Sequence, residues 1–151
     1  MDKTAFLAFG SNLGDGEKNI RTAFAALSLV PGVYPEQLSK MYLTKPWGYT
    51  QQPDFTNACC RLRTTLSPEA LLGVCLGIEA GMGRVRQFKN GPRLIDIDLL
   101  LYENETRDTQ ELKLPHPGLS ARDFVLRPLL DVSDNGFALD VDMQAALADL
   151  E

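Results

Sequence analysis

Short segments rich in apolar side chains alternate with polar stretches and with turns that contain Gly or Pro. The apolar runs at 4–9, 55–65 and 94–102 predict strands, because each is short, is bounded by turn residues and is rich in β-branched, aromatic or aliphatic side chains. Residues 33–43 are also expected to be extended. The pattern therefore predicts four extended segments.

Two segments between these strands have helical signals. Apolar residues recur with a period close to 3.6 over 17–30, where Pro31-Gly32 is expected to end the helix. A second helix is predicted over 67–80, with Ser67 as its N-cap and Pro68 in its first turn. The resulting order is β-α-β-β-α-β, which is the ferredoxin-like plan, with the sheet covered by helices on one face and available to a ligand on the other.

The remaining chain predicts smaller elements. A short strand is expected at 112–114 after a turn at 103–105, a third helix over 120–130 and a last helix within 141–150. We therefore expect an α+β protein with a ferredoxin-like core, a mainly antiparallel sheet with helices packed on it, and a C-terminal hairpin and helices. At 151 residues, the chain has the length of a single domain, 1–151.

Composition narrows the class of protein. The formal net charge of −5 and a pI near 4.9 argue against nucleic acid as the main partner. We see no signal-peptide pattern and no membrane-spanning run, and the three cysteines have no metal or disulfide spacing. A cytoplasmic protein without a membrane partner is therefore expected. We also expect the protein to be a monomer.

The segment 94–102 carries two aspartates inside an aliphatic run. Because side chains alternate along a strand, Asp96 and Asp98 project from one face, and Ile95, Ile97 and Leu99 project from the other. Two neighbouring anions require compensation, and hard cations such as Mg²⁺ bind carboxylates while leaving positions for substrate phosphates. The pair indicates a metal-assisted phosphoryl-transfer site, although a solvated edge strand with two surface carboxylates is the simpler alternative.

Basic residues are concentrated just before this pair. Arg84, Arg86, Lys89 and Arg93 fall within ten residues of an otherwise acidic chain. Guanidinium groups match the geometry of phosphate oxygens, so the cluster is compatible with a nucleotide phosphate site. An ordinary solvated surface remains the alternative for this cluster.

The order of several short motifs resembles that of the 6-hydroxymethyl-7,8-dihydropterin pyrophosphokinase family of folate biosynthesis. The resemblance covers nearly the whole chain. It depends on Gly10-Ser11-Asn12-Leu13-Gly14, residues 44–48, residues 52–58, Glu79, Gly83-Arg84-Val85-Arg86, Gly91-Pro92-Arg93, Asp96-Ile97-Asp98, Leu114-Pro115-His116-Pro117 and residues 122–126.

The resemblance implies a reaction and a set of ligands. The family transfers the terminal pyrophosphoryl unit of ATP to the hydroxymethyl oxygen of the pterin and releases AMP. By resemblance, Asp96 and Asp98 would hold two Mg²⁺ ions, and Arg84 and Arg93 would act with them in catalysis, with no separate general base identified. Both arginines would also bind ATP, together with Glu79, Arg86, His116 and Arg122. The residues that match pterin-binding positions are Thr44, Trp47, Phe55, Asn57 and Phe124, with the two phenylalanines as aromatic faces and Asn57 as the amide between them.

Two positions depart from the family pattern. Asn90 stands where the family usually has a tryptophan, in a loop that is one residue shorter, and Glu111 stands where a basic nucleotide contact is found. These departures bear on loop closure and ATP affinity.

Three other function classes are weighed against this one. A palm-like nucleotidyltransferase also carries paired carboxylates on a ferredoxin-like sheet, but it would release pyrophosphate. A non-catalytic module would bind a small molecule without turnover. RNA binding is disfavoured by the acidic balance and by the lack of an aromatic RNP-type strand.

Overall fold

A computed structural model describes residues 2–46, 50–84, 91–119 and 123–150. The elements, in chain order, are β1 (Lys3–Ser11), α1 (Gly16–Leu27), β2 (Val33–Leu38), β3 (Tyr42–Thr44), β4 (Phe55–Thr64), α2 (Pro68–Gly81), β5 (Asp96–Tyr102), β6 (Arg107–Asp108), β7 (Lys113–Leu114), α3 (Asp123–Asp131), β8 (Phe137–Ala138), β9 (Val141–Asp142) and α4 (Met143–Ala148).

The main sheet has the strand order β2-β4-β1-β5, and β3 pairs with β4 beyond the end of β2. Each of these pairings is antiparallel. The α+β class and the ferredoxin-like order are therefore confirmed. The predicted extended segment 33–43 forms two strands, β2 and β3. Residues 39–41 interrupt the strand, and both parts pair with β4.

The helix starts follow the local sequence signals. Asp15 accepts a hydrogen bond from the Lys18 amide at the start of α1, and Ser67 accepts one from the Ala70 amide at the start of α2. The first helix ends earlier than predicted, at Leu27, and the chain then turns toward β2 through Gly32, whose φ of +86° suits a residue without a side chain.

Helices α1 and α2 cover one face of the sheet. The inward side chains of this face form an apolar core, which includes Ala5, Leu7, Phe9, Ala58, Cys60, Leu62, Ile97 and Leu99. The predicted alternation along β5 is therefore confirmed for Ile97 and Leu99. Burial of these apolar side chains stabilises the sheet.

The opposite face is only partly open, which corrects the expectation that it is free for a ligand. Helix α3 and the segment after it pack on this face, and a second apolar cluster includes Phe6, Cys59, Leu100, Leu126 and Leu129. Beyond this cluster, the same face lines a cleft.

A β-bulge in β5 places two consecutive side chains on the same face of the sheet. The register with β1 shifts so that Leu7 faces Leu99 and Phe6 faces Leu101, which leaves Leu100 as the extra residue. Leu100 and Leu101 consequently both enter the second cluster, while Tyr102 returns to the first.

The remaining predictions concern smaller elements. Strands β6 and β7 form one hairpin and β8 and β9 another, and α4 lies within the predicted last helix. The helix predicted over 120–130 is described from Asp123 onward, and its predicted cap at Ser120 lies outside the described residues. In the described part of the chain, no helix combines the length and apolar character needed to span a membrane.

Candidate active site

Three neighbouring strands build the floor of the cleft. In the antiparallel register, Gly10 of β1 lies between Asn57 of β4 and Asp96 of β5, and Ala8 lies between Cys59 and Asp98. A Cβ atom on Gly10 would stand 3.4 Å from Oδ1 of Asn57. The small residues of β1 therefore leave room above the floor between an amide side chain on one side and two carboxylates on the other.

The first lobe of the cleft brings together most of the residues matched to pterin binding. Thr44, Phe55, Asn57 and Phe124 line it, together with Arg93, both aspartates and His116, and it encloses about 810 Å³, counting space open to solvent. Nδ2 of Asn57 donates a hydrogen bond of 2.6 Å to Oγ1 of Thr44, and Asn57 is buried. The remaining amide oxygen of Asn57 can accept a hydrogen bond from a ligand.

Arginine side chains surround Asp96. Nη1 of Arg84 lies 3.2 Å from Oδ1 of Asp96, and Nη1 of Arg93 lies 3.7 Å from Oδ2. The guanidinium carbon of Arg93 also lies 5.4 Å from the ring centroid of Phe55. Both arginines predicted as catalytic therefore contact Asp96, and Arg93 lines the first lobe of the cleft.

The backbone of Arg93 is fixed by Asn12. The amides of Asn12 and Leu13 donate to the carbonyl of Arg93 at 3.0 and 3.2 Å, and Oδ1 of Asn12 accepts from the Arg93 amide at 2.8 Å. Nδ2 of Asn12 donates to Oε1 of Gln52 at 2.8 Å and to the Pro53 carbonyl at 3.1 Å. Asn12 therefore joins the segment before β4 to the segment before β5, a support that sequence reasoning missed although Asn12 lies inside a quoted motif.

Glu79 is a buried carboxylate at the edge of the sheet. Its Oε2 accepts a hydrogen bond of 2.7 Å from the Ile97 amide, and its Oε1 accepts one of 2.9 Å from Nη1 of Arg84. Burial raises the pKa of Glu79 above its usual value, against the opposing effects of the Ile97 amide and of Arg84.

A second lobe adjoins the first at the aspartate pair. It encloses about 760 Å³, again counting space open to solvent, and shares Asp96, Asp98 and His116 with the first lobe. Its other lining residues come from α2, the hairpin β6–β7 and the adjoining segments: Leu72, Leu76, Glu79, Arg84, Ile97, Leu99, Gln110, Glu111, Leu112, Lys113 and Pro117.

His116 lies where the two lobes meet. Its backbone amide donates to the Leu100 carbonyl at 2.9 Å, and its Nδ1 accepts a hydrogen bond of 3.0 Å from the Gly118 amide. The neutral imidazole consequently carries its proton on Nε2, which makes Nε2 a hydrogen-bond donor.

The carboxylates of the cleft suit a hard cation that is bound partly by the protein and partly by a substrate. Within the described residues, no group of three or more His, Cys, Asp and Glu side chains could hold a metal ion. Asp96 and Asp98 supply two carboxylates, and Mg²⁺ commonly binds through one or two carboxylates plus substrate phosphates and water. The residues present therefore fit a magnesium ion that arrives with a nucleotide.

Three predicted site residues lie outside the described part of the chain, namely Trp47, Arg86 and Arg122. Asn90, the departure from the family pattern, also lies outside it. Glu111 does line the second lobe, and Lys113, two residues further on, contributes a cation there. Lys113, Gln110 and Lys45, which lines the first lobe, were not identified from the sequence.

A family model described as 7,8-dihydro-6-hydroxymethylpterin-pyrophosphokinase (HPPK) matches residues 6–134. A 2-amino-4-hydroxy-6-hydroxymethyldihydropteridine pyrophosphokinase of Methylorubrum extorquens is 42% identical over 147 residues, which are 97% of this chain and 93% of that protein. The protein of the same description from Bacillus subtilis is 39% identical over 132 residues, 87% of this chain and 79% of that protein.

Longer proteins also contain a similar segment. The folic acid synthesis protein fol1 of Schizosaccharomyces pombe is 44% identical over 87% of this chain, and the match spans only 18% of that protein. The crystal structure of Plasmodium falciparum HPPK-DHPS with pteroate superposes with a TM-score of 0.72 at 16% identity, over 99% of this chain and 42% of that one. The structural match supports the fold alone.

Proposed function

Since the chain belongs to the 7,8-dihydro-6-hydroxymethylpterin-pyrophosphokinase (HPPK) family, we propose that it transfers pyrophosphate from ATP to the hydroxymethyl oxygen of 6-hydroxymethyl-7,8-dihydropterin and releases AMP. One observation carries the proposal: the aspartate pair lies where two lobes of one cleft meet. A two-substrate transfer requires such a meeting point, because each substrate needs its own surface and the reacting atoms must come within about 3.5 Å.

The first lobe is the proposed pterin site. A pterin is flat and has a hydrogen-bonding edge, so it suits a surface formed by Phe55 and Phe124 with the Asn57 amide nearby. The hydrogen bond from Asn57 to Thr44 orients the amide before substrate arrives. Trp47, outside the described residues, stays a proposed contact from the family match.

The second lobe is the proposed ATP site. Arg84 and His116 offer hydrogen-bond donors to the phosphates there, and Leu72 and Leu76 give the lobe an apolar wall. Arg86 and Arg122 complete the set of nucleotide residues proposed from the family match, and Glu79 lines the same lobe. Lys113 provides a cation two residues from Glu111, and it also pairs with Asp108 at 3.1 Å.

Asp96 and Asp98 are the residues that would hold Mg²⁺, and two ions are proposed. When bound, the ions supply charge neutralisation and alignment of the phosphates, which a loose phosphoryl-transfer transition state requires. Arg84 and Arg93 are the protein's own cations at this point, and both contact Asp96 in the described structure. We propose that their guanidiniums bind phosphate oxygens and stabilise the charge that develops there.

The reaction has a defined balance. The hydroxymethyl oxygen of the pterin forms a bond to the β-phosphorus of ATP, and the bond between that phosphorus and the oxygen bridging to the α-phosphate breaks. AMP leaves with the bonding electron pair, and the hydroxyl proton is released. Asn57 and Phe55 hold the pterin, while Arg84, Arg93 and His116 hold the phosphates of ATP.

Product analysis tests the proposal. The protein is mixed with the dihydropterin, ATP and Mg²⁺, and the nucleotide products are separated by anion-exchange chromatography. AMP formed in equal amount with pterin pyrophosphate is the expected result. ADP would identify an ordinary kinase, free pyrophosphate would identify nucleotidyl transfer, and pterin binding without turnover would identify a binding module; each would overturn the proposal.

We also propose that residues 1–151 act as one monomeric domain in the cytoplasm. The three cysteines are free and buried, which is typical of a protein in a reducing compartment. Sedimentation equilibrium at micromolar concentration, with and without substrates, should give the mass of one chain. A dimer mass would overturn the proposed oligomeric state and leave the reaction unaffected.

A further inference from the structure

Glu79 connects the outer edge of β5 to Arg84. The residue is 5% exposed, and each of its carboxylate oxygens already has a hydrogen-bond donor within the protein. Burying a carboxylate is unfavourable unless its oxygens accept hydrogen bonds. The two hydrogen bonds of Glu79 offset this cost, and each of them has a structural consequence for the site.

The first consequence concerns the backbone between the two aspartates. Strand β5 lies at the edge of the sheet, with β1 on its inner side. The Ile97 amide donates to Oε2 of Glu79, which takes the place of a further strand at this point. Because Ile97 separates Asp96 from Asp98, this bond restrains the peptide units that carry both carboxylates.

The second consequence concerns the cation beside the pair. Nη1 of Arg84 lies 2.9 Å from Oε1 of Glu79 and 3.2 Å from Oδ1 of Asp96. Only 13% of the Arg84 side chain is exposed, and both carboxylates contact its guanidinium. Glu79 therefore contacts both the backbone that carries the aspartate pair and the arginine beside it.

We propose that Glu79 is a positioning residue: it holds the Asp96–Asp98 strand through the Ile97 amide and holds Arg84 beside Asp96, instead of binding the nucleotide itself. The inference deepens the proposed function, on which its kinetic consequences rest. Its backbone consequence can be measured in the protein without substrates.

Two variants of Glu79 separate its two contacts. Glu79→Gln keeps an oxygen that can accept from the Ile97 amide but removes the negative charge beside Arg84. Glu79→Leu removes both contacts while keeping a similar volume. Glu69→Gln is the matched control, because Glu69 lies on the same helix and pairs with Arg107, outside both lobes.

Amide hydrogen exchange at Ile97 tests the backbone contact. Relative to the Leu7 amide, Ile97 should exchange about 10-fold faster or more in Glu79→Leu and within about 3-fold of the parent protein in Glu79→Gln and Glu69→Gln. An Ile97 exchange rate that is unchanged in a folded Glu79→Leu would overturn the strand-holding role. If Glu79→Leu does not fold, Glu79→Ala, which also removes the acceptor of the Ile97 amide, replaces it: a rate about 10-fold faster or more supports the role, and an unchanged rate overturns it.

Steady-state kinetics test the contact with Arg84. We expect kcat to fall about 10-fold in Glu79→Gln and about 100-fold in Glu79→Leu, the latter with a higher Mg²⁺ concentration at half activity, since misplacement of about 1 Å is enough for such losses. The pterin Kd should stay unchanged. In an Arg84→Met background, Glu79→Gln should have little further effect, because its charge acts through Arg84.

The alternative roles give different results. A raised KM for ATP with unchanged kcat and Mg²⁺ dependence would make Glu79 a nucleotide contact, and fully multiplicative effects of Glu79→Gln and Arg84→Met would show independent action; either overturns the proposal. A parent protein that makes no AMP overturns the proposed function instead. The Ile97 exchange rates and a calorimetric titration with Mg²⁺ alone would then still decide the role of Glu79.

Discussion

The two faces of strand β5 differ in what covers them and in what they do. Ile97 and Leu99 point into the apolar core beneath α1 and α2, where they are 3% and 2% exposed. Asp96 and Asp98 point to the opposite face, where they line a cleft. Side chains that are adjacent in sequence therefore serve stability on one face and a proposed reaction on the other.

The comparison also applies within the second face. Where α3 packs on the sheet, the face carries Phe6, Cys59 and Leu100 and is buried. Where that cover ends, the strands carry Gly10 and Asp96 and the face opens into the cleft. The site begins where the apolar cover stops, so substitutions on the two sides of this boundary should affect different measurements.

The largest expected effect is on the cleft face. Asp98→Asn should lower kcat about 1,000-fold or more, equivalent to about 4 kcal/mol in the barrier, because it removes one of two proposed Mg²⁺ ligands. The melting temperature should change little. Asp140→Asn is the matched control, since Asp140 is exposed and lies outside both lobes. Substantial activity in folded Asp98→Asn would contradict the metal assignment.

A core residue on the adjoining strand β1 should behave in the opposite way. Leu7 is fully buried and lines neither lobe, so Leu7→Ala should reduce the free energy of unfolding by about 3 kcal/mol by leaving a cavity in the core. The kcat of the folded fraction should stay close to that of the parent. Urea denaturation measures the loss, with Leu29→Ala as control because Leu29 is 83% exposed. Equal stability losses in the two variants would remove the distinction between core and surface.

A third effect should be confined to one lobe. Asn57→Ala should raise the pterin Kd about 30-fold, or about 2 kcal/mol, because a buried ligand edge loses its hydrogen-bond partner. Thr44→Val, which removes only the group that orients the amide, should have a smaller effect. Binding of an ATP analogue should be unchanged in both variants. A comparable loss of ATP-analogue affinity would show that the two lobes are not separate sites.

The smallest effect concerns the attachment of α3 to the sheet. Oη of Tyr42 donates to Oδ2 of Asp131 at 2.8 Å, so Tyr42→Phe should destabilise the protein by about 1 kcal/mol without loss of activity. Tyr34→Phe, at a half-exposed position, is the control. A loss of pterin binding in Tyr42→Phe would instead connect this hydrogen bond to the cleft.

The difference in stability between the parent protein and Tyr42→Phe should decrease at high pH. Burial, together with the bond to Asp131, raises the pKa of Tyr42 from 10.0 to about 12. The folded state therefore favours the neutral phenol, and the stabilisation is fully present below pH 10 and is lost as the pH rises toward 12. Denaturation measured at pH 8 and at about pH 11 should show a smaller difference between parent and Tyr42→Phe at the higher value.

The sequence was sufficient for the main strands, helices α1 and α2, and the aspartate pair. Alternation along β5 depends only on strand geometry, so the faces of Asp96, Ile97, Asp98 and Leu99 were predictable. The helix start at Ser67 was also predictable, because the cap and the following proline are local signals.

Other features depend on contacts between distant segments and were not predictable in this way. The bulge at Leu100 arises from pairing with β1, and the bond from the Ile97 amide to Glu79 joins residues from α2 and β5. The second lobe is formed when the hairpin β6–β7 comes close to α2, so Gln110 and Lys113 carried no local signal of a site. The nucleotide-binding roles expected for Glu79 and His116 came only from the resemblance to a family, and no local sequence signal predicts them.

A crystal structure with Mg²⁺, a non-hydrolysable ATP analogue and the dihydropterin tests the two-lobe account most directly. We expect the pterin beside Asn57, the nucleotide in the lobe lined by Arg84, and metal density at Asp96 and Asp98. The hydroxymethyl oxygen should lie about 3.5 Å from the β-phosphorus. A pterin in the second lobe, no metal at the aspartates, or the α-phosphorus nearest to the hydroxyl would contradict it.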